Sequence, residues 1–321
     1  MRRWLLPLLA TAVALAVFLV AGELLLRAYT AAVQSYDVEM TRYAMGVKEQ
    51  ADDPRIGHVH RPGSEATLMG VPVRINGDGL RDRDYPVERT GARRIAVLGD
   101  SLTFGWGVRE EDRFESLLER ELSRRAPTEL INFGTGNYNT AQEVELFLAK
   151  GLKYKPDEVV VFWFINDAEP TPAVSRWELL GHSRLVTFFW SRIKSLASRL
   201  DETRSFHGYY AGLYGDAAPG WQAAQQAFLK LKRELDARGI ALKVVLLPEL
   251  HDPARNPFAA QHAKLAAFLA HNGIRALDVT PAFAGVTDPL ALWVAPDDAH
   301  PNARAHAIIA QAVAPFLTGN H

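Results

Sequence analysis

Apolar positions along the 321-residue chain fall into three regimes. The first is a run without charge from Trp4 to Gly22, preceded by Met1-Arg2-Arg3 and about long enough to cross the hydrocarbon of a bilayer. The second, from Ala28 to about Ala92, is mixed and turn-rich, interrupted by Pro54, Pro62, Gly63, Gly70, Pro72, Gly77, Gly79 and Pro86. Within it, the alternation of Val71-Pro72-Val73-Arg74-Ile75 before Asn76-Gly77 predicts one strand and a tight turn. From Arg93 onward apolar runs alternate with amphipathic stretches, which predicts a parallel sheet wrapped by helices. The predicted strands are Ile95 to Leu98, Leu130 to Phe133, Val159 to Ile165, Leu242 to Leu247 and Ala276 to Val279. Helical spacing relates Phe114, Leu117, Leu118 and Leu122, then Val144, Leu148 and Leu152, then Phe228, Leu231 and Leu235. In such a sheet ligands bind beyond the carboxyl ends of the strands, so chemistry is sought just after each strand.

These regimes divide the chain into a membrane helix or signal sequence at 1–27, a stalk and small prelude at 28–92, and a main domain at 93–321. An aromatic-rich insertion is expected at about 168–220. It carries Trp177, Phe188, Phe189, Trp190, Phe206, Tyr209, Tyr210 and Tyr214. It would serve as a lid or sugar-stacking platform, as a packed helical subdomain, or as a membrane-touching surface. The N-terminal run reads as an export signal retained as an anchor, because the apolar pattern resumes at Leu24-Leu25-Leu26. The small residues Val20-Ala21-Gly22 leave secretion after cleavage as the alternative. With Arg2 and Arg3 on the cytoplasmic side, everything after about Arg27 is expected across the membrane.

Composition narrows the function. Lys+Arg number 36 against 37 Asp+Glu, so no basic excess exists to neutralise a polyphosphate, and nucleic acid is not an expected partner. The absence of Cys removes disulfides, Cys-based metal sites and a thiol nucleophile. There is no Gly-x-x-x-x-Gly-Lys-Ser/Thr loop, no Gly-x-Ser-x-Gly elbow and no His-Glu-x-x-His, and no cofactor or metal is expected.

Gly99-Asp100-Ser101-Leu102 follows the first strand and by itself reads as a turn or helix cap. Asn132-Phe133-Gly134-Thr135-Gly136-Asn137 follows the second, Asn166-Asp167 the third, and Asp297-Asp298-Ala299-His300-Pro301-Asn302 lies near the C-terminus. In this combination, across roughly residues 93 to 316, the sequence resembles the SGNH (GDSL-type) hydrolase superfamily. The resemblance implies a three-layer α/β/α, flavodoxin-like fold with a five-stranded parallel sheet. It also implies Ser101 as nucleophile, His300 as base, and backbone N–H groups of Ser101 and Gly136 with the Asn166 amide as oxyanion donors. One departure is Phe164-Ile165, where members often carry Gly shortly before the Asn.

A Ser hydroxyl needs a base to become nucleophilic, and imidazole suits that work near neutral pH. An adjoining acid orients the imidazole. The spacing of Asp297 and Asp298 does not separate them, and Asp297 is preferred because the family pattern is D-x-x-H. Asp100 and Asp167 are expected in capping roles, Gly105-Trp106-Gly107 as a turn, and Glu249, His251 and Asp252, just after the fourth strand, as a solvated loop or, alternatively, as part of the cleft lining.

The N-terminal layout, with Asn76-Gly77-Asp78-Gly79-Leu80-Arg81, resembles a membrane-anchored bacterial branch of the superfamily often linked to acyl groups on envelope polysaccharides. The implied function is an extracytoplasmic serine esterase acting on O-acyl, above all O-acetyl, esters. Alternatives are a polysaccharide O-acyltransferase using the same triad, a lipase or lysophospholipase, and a non-catalytic envelope-binding protein.

Overall fold

The computed structural model describes residues 2–32, 36–171 and 206–319. Its first helix, α1 (Arg2–Ala32), contains the apolar span Pro7–Tyr29 with a mean hydropathy of 2.4. Side chains such as Leu8, Phe18 and Leu25 are exposed along it. Next come α2 (Tyr36–Gly46) and two hairpins. One pairs β1 (Lys48–Gln50) with β2 (His58–His60), and the other pairs β3 (Glu65–Leu68) with β4 (Val71–Arg74). The strand predicted at Val71 is β4, and it enters from Met69-Gly70, both at positive φ as a tight hairpin turn requires.

The main body holds β5 (Arg93–Gly99), α3 (Ser101–Phe104), α4 (Phe114–Ser123), β6 (Thr128–Asn132), α5 (Thr140–Lys150) and β7 (Glu158–Trp163). After the insertion come α6 (Phe206–Gly212), α7 (Pro219–Asp236), β8 (Ala241–Leu246), α8 (Ala259–His271), β9 (Arg275–Asp278), β10 (Trp293–Ala295), β11 (Asp298–Pro301) and α9 (Ala303–Thr318). Five strands form a parallel sheet in the order β6-β5-β7-β8-β9, the flavodoxin-like 2-1-3-4-5 arrangement.

Strand alternation builds the layers. Ala96 and Leu98 of β5 face Val144 and Phe147 of α5 and Phe228, Leu231 and Leu235 of α7. Ile95 and Val97 face Phe114, Leu118 and Leu122 of α4 and Ile309 and Val313 of α9. Both faces of β7 are covered, which is why Val159-Val160-Val161-Phe162-Trp163 runs apolar without alternation. That strand stops two residues before its predicted end, because Ile165 opens a 3-10 turn over Ile165–Ala168. Of the insertion aromatics, Phe206, Tyr209 and Tyr210 lie on α6 and Tyr214 is buried, while Trp177, Phe188, Phe189 and Trp190 fall outside the described residues.

Residues 36–92 pack directly on this body near the carboxyl end of β5. Tyr43, Val47, Leu68, Val73 and Ile75 share an apolar cluster with Phe104 and Trp106. Asn76 closes an Asx turn by accepting the N–H groups of Asp78 and Leu80, both at 2.9 Å. That turn sends the buried Arg81 guanidinium under the chain after α3, where it donates to the carbonyls of Phe104 (2.9 Å), Gly105 (2.5 Å) and Val108 (2.7 Å). The guanidinium spreads these donors over two nitrogens in a fixed plane, whereas an ammonium would have to reach all three carbonyls from a single nitrogen. Arg81→Met strands these three buried carbonyls, so we expect a loss of about 3 kcal/mol or more in thermal or urea unfolding, with Arg81→Lys recovering only part of it.

Candidate active site

Gly99 ends β5, and Asp100 caps α3 by accepting the Leu102 N–H on Oδ1 at 2.9 Å. Ser101 therefore stands at the carboxyl end of an interior strand, nearly buried, with Oγ 2.8 Å from His300 Nε2. His300 comes from the β10–β11 hairpin, where Ala295 pairs with Asp298 and Pro296-Asp297 form the exposed turn. Alternate residues of a strand share a face. Asp298 thus lies beside His300, its Oδ1 2.5 Å from Nδ1 and 3.1 Å from the His300 N–H. Asp297, the acid expected by resemblance, sits on the turn at the rim of the cleft, and the structure brings the carboxylate of Asp298 to the imidazole instead.

Burial by itself would raise the Asp298 carboxyl. Hydrogen bonds from His300 and Trp106, with the His300 charge, outweigh it and hold that carboxyl below its ordinary value. A carboxylate there accepts Nδ1–H, which leaves the Nε2 lone pair for the Ser101 hydroxyl. The second oxygen, Asp298 Oδ2, accepts the Trp106 indole N–H at 2.8 Å. Gly105-Trp106-Gly107 is thus more than a turn. Its glycines have φ of +79° and +70°, and a Cβ on Gly107 would lie 2.3 Å from Val294 Cγ1 of β10, so the loop fits flush against the hairpin. Tyr36 of α2 stacks on the His300 ring at 5.7 Å and 25°.

The loop after β6 departs from expectation. The Gly136 N–H donates to the hydroxyl of the fully buried Tyr43 at 2.9 Å and does not face the cleft. A Cβ at Gly136 would come within 2.7 Å of the Tyr43 ring, so what approaches this glycine closely is a side chain of α2. The cleft is lined instead by Asn137, at φ +66°. Asn is among the few non-glycine residues that adopt this conformation readily. The backbone N–H groups of Ser101 and Asn137 form no hydrogen bond within the described residues. Asn166, on the 3-10 turn after β7, donates through Nδ2 to Asp100 Oδ2 at 2.9 Å and keeps a second Nδ2 hydrogen. Burial raises the Asp100 carboxyl.

Ser101, Asn137, Asn166, Asp298 and His300 line one cleft of about 800 Å³. Glu249 and His251, expected on a solvated loop, line it as well. Glu249 is buried and takes the His251 N–H at 2.9 Å and its Nδ1, while the His251 ring meets Trp293 at 4.6 Å. Asp252 stays outside, facing Arg255 at 3.6 Å. Phe164, which stands where relatives often carry Gly, forms part of the wall. Among the described residues no group of His, Asp or Glu is arranged to hold a metal ion.

Behind the cleft, Asp167 accepts the Phe164 N–H and the Thr140 hydroxyl at 3.3 Å each, and Glu143 has neither carboxyl oxygen hydrogen-bonded. Burial first, then the nearby carboxylates, push both acids well above the ordinary range. Below about pH 4 each is protonated folded and unfolded alike. Above that pH the unfolded chain releases protons that the folded one retains, so stability falls as pH rises toward the folded-state values. Glu143→Gln should therefore raise Tm at pH 8, with a gain that shrinks toward pH 4 in calorimetry.

A sequence profile described as the GDSL-like Lipase/Acylhydrolase family matches residues 97–308. Solved structures similar to the chain include the lipase/acylhydrolase from Enterococcus faecalis, at 15% identity and a TM-score of 0.44 over 70% of this chain and 95% of that one. Another is the lipase Lip_vut3 from goat rumen metagenome, at 14% identity and a TM-score of 0.48 over 71% and 99%. A third is a two-domain esterase active on acetylated mannans, at 19% identity and a TM-score of 0.44 over 70% and 49%. No curated protein matches the sequence. With a nucleophile loop, sheet order and profile match in agreement, the chain belongs to the GDSL-like lipase/acylhydrolase family of the SGNH hydrolase superfamily and is a serine hydrolase of ester bonds.

Proposed function

We propose that this protein is a membrane-held esterase that removes O-acyl groups, above all O-acetyl, from carbohydrate on the far side of the membrane. The observation that carries the chemistry is the unbroken hydrogen-bond chain Ser101–His300–Asp298 at the mouth of one cleft. His300 takes the Ser101 proton on Nε2 as Oγ attacks the acyl carbon, and Asp298 stabilises the imidazolium that results. The tetrahedral intermediate places negative charge on the former carbonyl oxygen. The free N–H groups of Ser101 and Asn137 and the remaining Nδ2 hydrogen of Asn166 are the donors suited to receive it. Collapse expels the sugar hydroxyl with the proton from His300. Water activated by the same imidazole then releases the acid and frees Ser101.

A carbohydrate alcohol is supported by the lining, in which the rings of Tyr36, Tyr210 and Trp293 stand with the Asn137 amide and the Glu169 carboxylate. Aromatic faces pack on sugar rings while amide and carboxylate groups take hydroxyls. Membrane attachment is supported by the uncharged span of α1 behind Arg2-Arg3. Tyr36, stacked on His300, stands only four residues beyond Ala32, a chain length of at most about 14 Å.

We expect Ser101→Ala to abolish release from p-nitrophenyl acetate, butyrate and octanoate with Tm nearly unchanged, and the native protein to favour acetate. Residual turnover in Ser101→Ala would refute the nucleophile, and a preference for octanoate would point to a lipase. Adding a sugar acceptor separates hydrolysis from transfer, since a transferase yields acylated sugar at the expense of free acetate. Between the two acids, Asp298→Asn should lower kcat by roughly 10³- to 10⁴-fold while Asp297→Asn stays within a few-fold; the reverse ranking would restore Asp297.

A further inference from the structure

The peptide joining Gly136 to Asn137 is gripped from behind by residues lying more than seventy positions earlier in the chain. The Gly136 carbonyl accepts Lys48 Nζ at 2.8 Å and His58 Nε2 at 3.0 Å, and the same Lys48 Nζ donates to Asn137 Oδ1 at 2.8 Å. The Gly136 N–H is meanwhile taken by Tyr43, whose hydroxyl lies 2.6 Å from His60 Nε2. Lys48 and His58 sit on the β1–β2 hairpin, with Lys48 Nζ 4.4 Å from the Tyr43 ring centre and the His58 ring edge-on to Tyr138 at 4.9 Å. Both lie outside the stretch matched by the family profile.

A trans peptide is planar, and its C=O and N–H point in opposite directions. Fixing the Gly136 oxygen on the side of the hairpin therefore fixes the Asn137 N–H on the side of the cleft. The grip falls at an unusual point of the backbone, since Asn137 occupies a left-handed conformation that few L residues adopt. Rotation of the peptide plane would put a carbonyl, an acceptor, where the developing anion needs a donor. Lys48 forms no salt bridge among the described residues, and burial pulls its ammonium down to about 7, so its placement is not explained by charge pairing. Burial and the Lys48 charge push the His58 imidazole down to about 3, which leaves it neutral with Nε2–H for the carbonyl.

We propose that Lys48 and His58 are positioning residues that clamp the Gly136 carbonyl and so aim the Asn137 N–H at the oxyanion. This deepens, and rests on, the reading of Asn137 as an oxyanion donor. The clamp makes the stretch between anchor and main domain a working part of the catalytic centre.

The test uses the full-length chain in detergent, with Lys48→Met retaining the aliphatic stem. The probes are p-nitrophenyl acetate and a trifluoromethyl ketone, whose carbonyl carbon bonds Ser101 Oγ as the hydroxyl proton passes to His300 Nε2, the C=O π pair moving to oxygen to give a hemiketal anion. We expect kcat to fall by about 10- to 100-fold, short of the roughly 100- to 1,000-fold cost of losing a donor outright, with KM within twofold. Ketone affinity should weaken by the same factor as kcat, while the affinity for the matching non-reactive alcohol stays unchanged, a split that loosened packing would not produce. Wild-type kcat and ketone affinity in Lys48→Met overturn the proposal; should that variant not fold, His58→Phe read in the same two ways decides it. Ketone affinity indifferent to Ser101→Ala would instead overturn the underlying serine mechanism.

Discussion

The hydrogen bond from the Trp106 indole to Asp298 joins two segments 192 residues apart, and the geometry around the nucleophile depends on it. Asp298 offers one oxygen to His300 and the other to Trp106. A carboxylate held at both oxygens cannot rotate away from the imidazole, and so it fixes the ring and its tautomer. The indole is itself seated by the Arg81 guanidinium, which gathers the carbonyls of Phe104, Gly105 and Val108 beneath it. The support thus runs from a turn before the main domain to the serine, through buried polar contacts that exclude competing water.

The stretch between the apolar helix and the main domain is therefore not a passive spacer. Tyr36 covers His300, Tyr43 occupies the Gly136 N–H, and the β1–β2 hairpin holds the Gly136 carbonyl. Ser101, His300 and Asp298 belong to the region shared with the family, whereas the side chains that grip the Gly136 peptide come from outside it. Docking by buried tyrosines and an ion-forked arginine costs side-chain entropy. In return it leaves few ways for the catalytic loops to relax.

The periodicities carried the architecture. Five apolar runs fell on the five parallel strands, most continuously on β7, which is buried on both faces, and least on the edge strand β9, and Leu231 and Leu235 fell on a helix because only one stripe of it is covered. Ser101 and His300 were legible from residue type and motif, and the structure brings them within hydrogen-bonding distance. Asp298, Asn137, Trp106 and Lys48 were not legible. Telling Asp298 from Asp297 requires knowing that the segment before Asn302 is a hairpin whose strand places residues two apart on one face. Telling Asn137 from Gly136 requires knowing which N–H the Tyr43 hydroxyl has already taken. The αL tolerance of Asn was a weak signal, easily masked by a glycine next to it.

By itself the sequence determined the layer arrangement, the apolar helix and Ser101 and His300 as the candidate nucleophile and base, because each is written in residue type at short range, as alternation, as a loop motif or as length of an uncharged run. Only the tertiary structure decided which carboxylate meets the imidazole, which backbone N–H the Tyr43 hydroxyl takes and which distant side chains hold the Gly136 carbonyl. The first rests on a hairpin strand that turns residues two apart to one face, with a bond to Trp106 192 residues away, and the others on hydrogen bonds between segments 78 to 93 residues apart; the direction of a donor is a property of the folded backbone that no local pattern encodes.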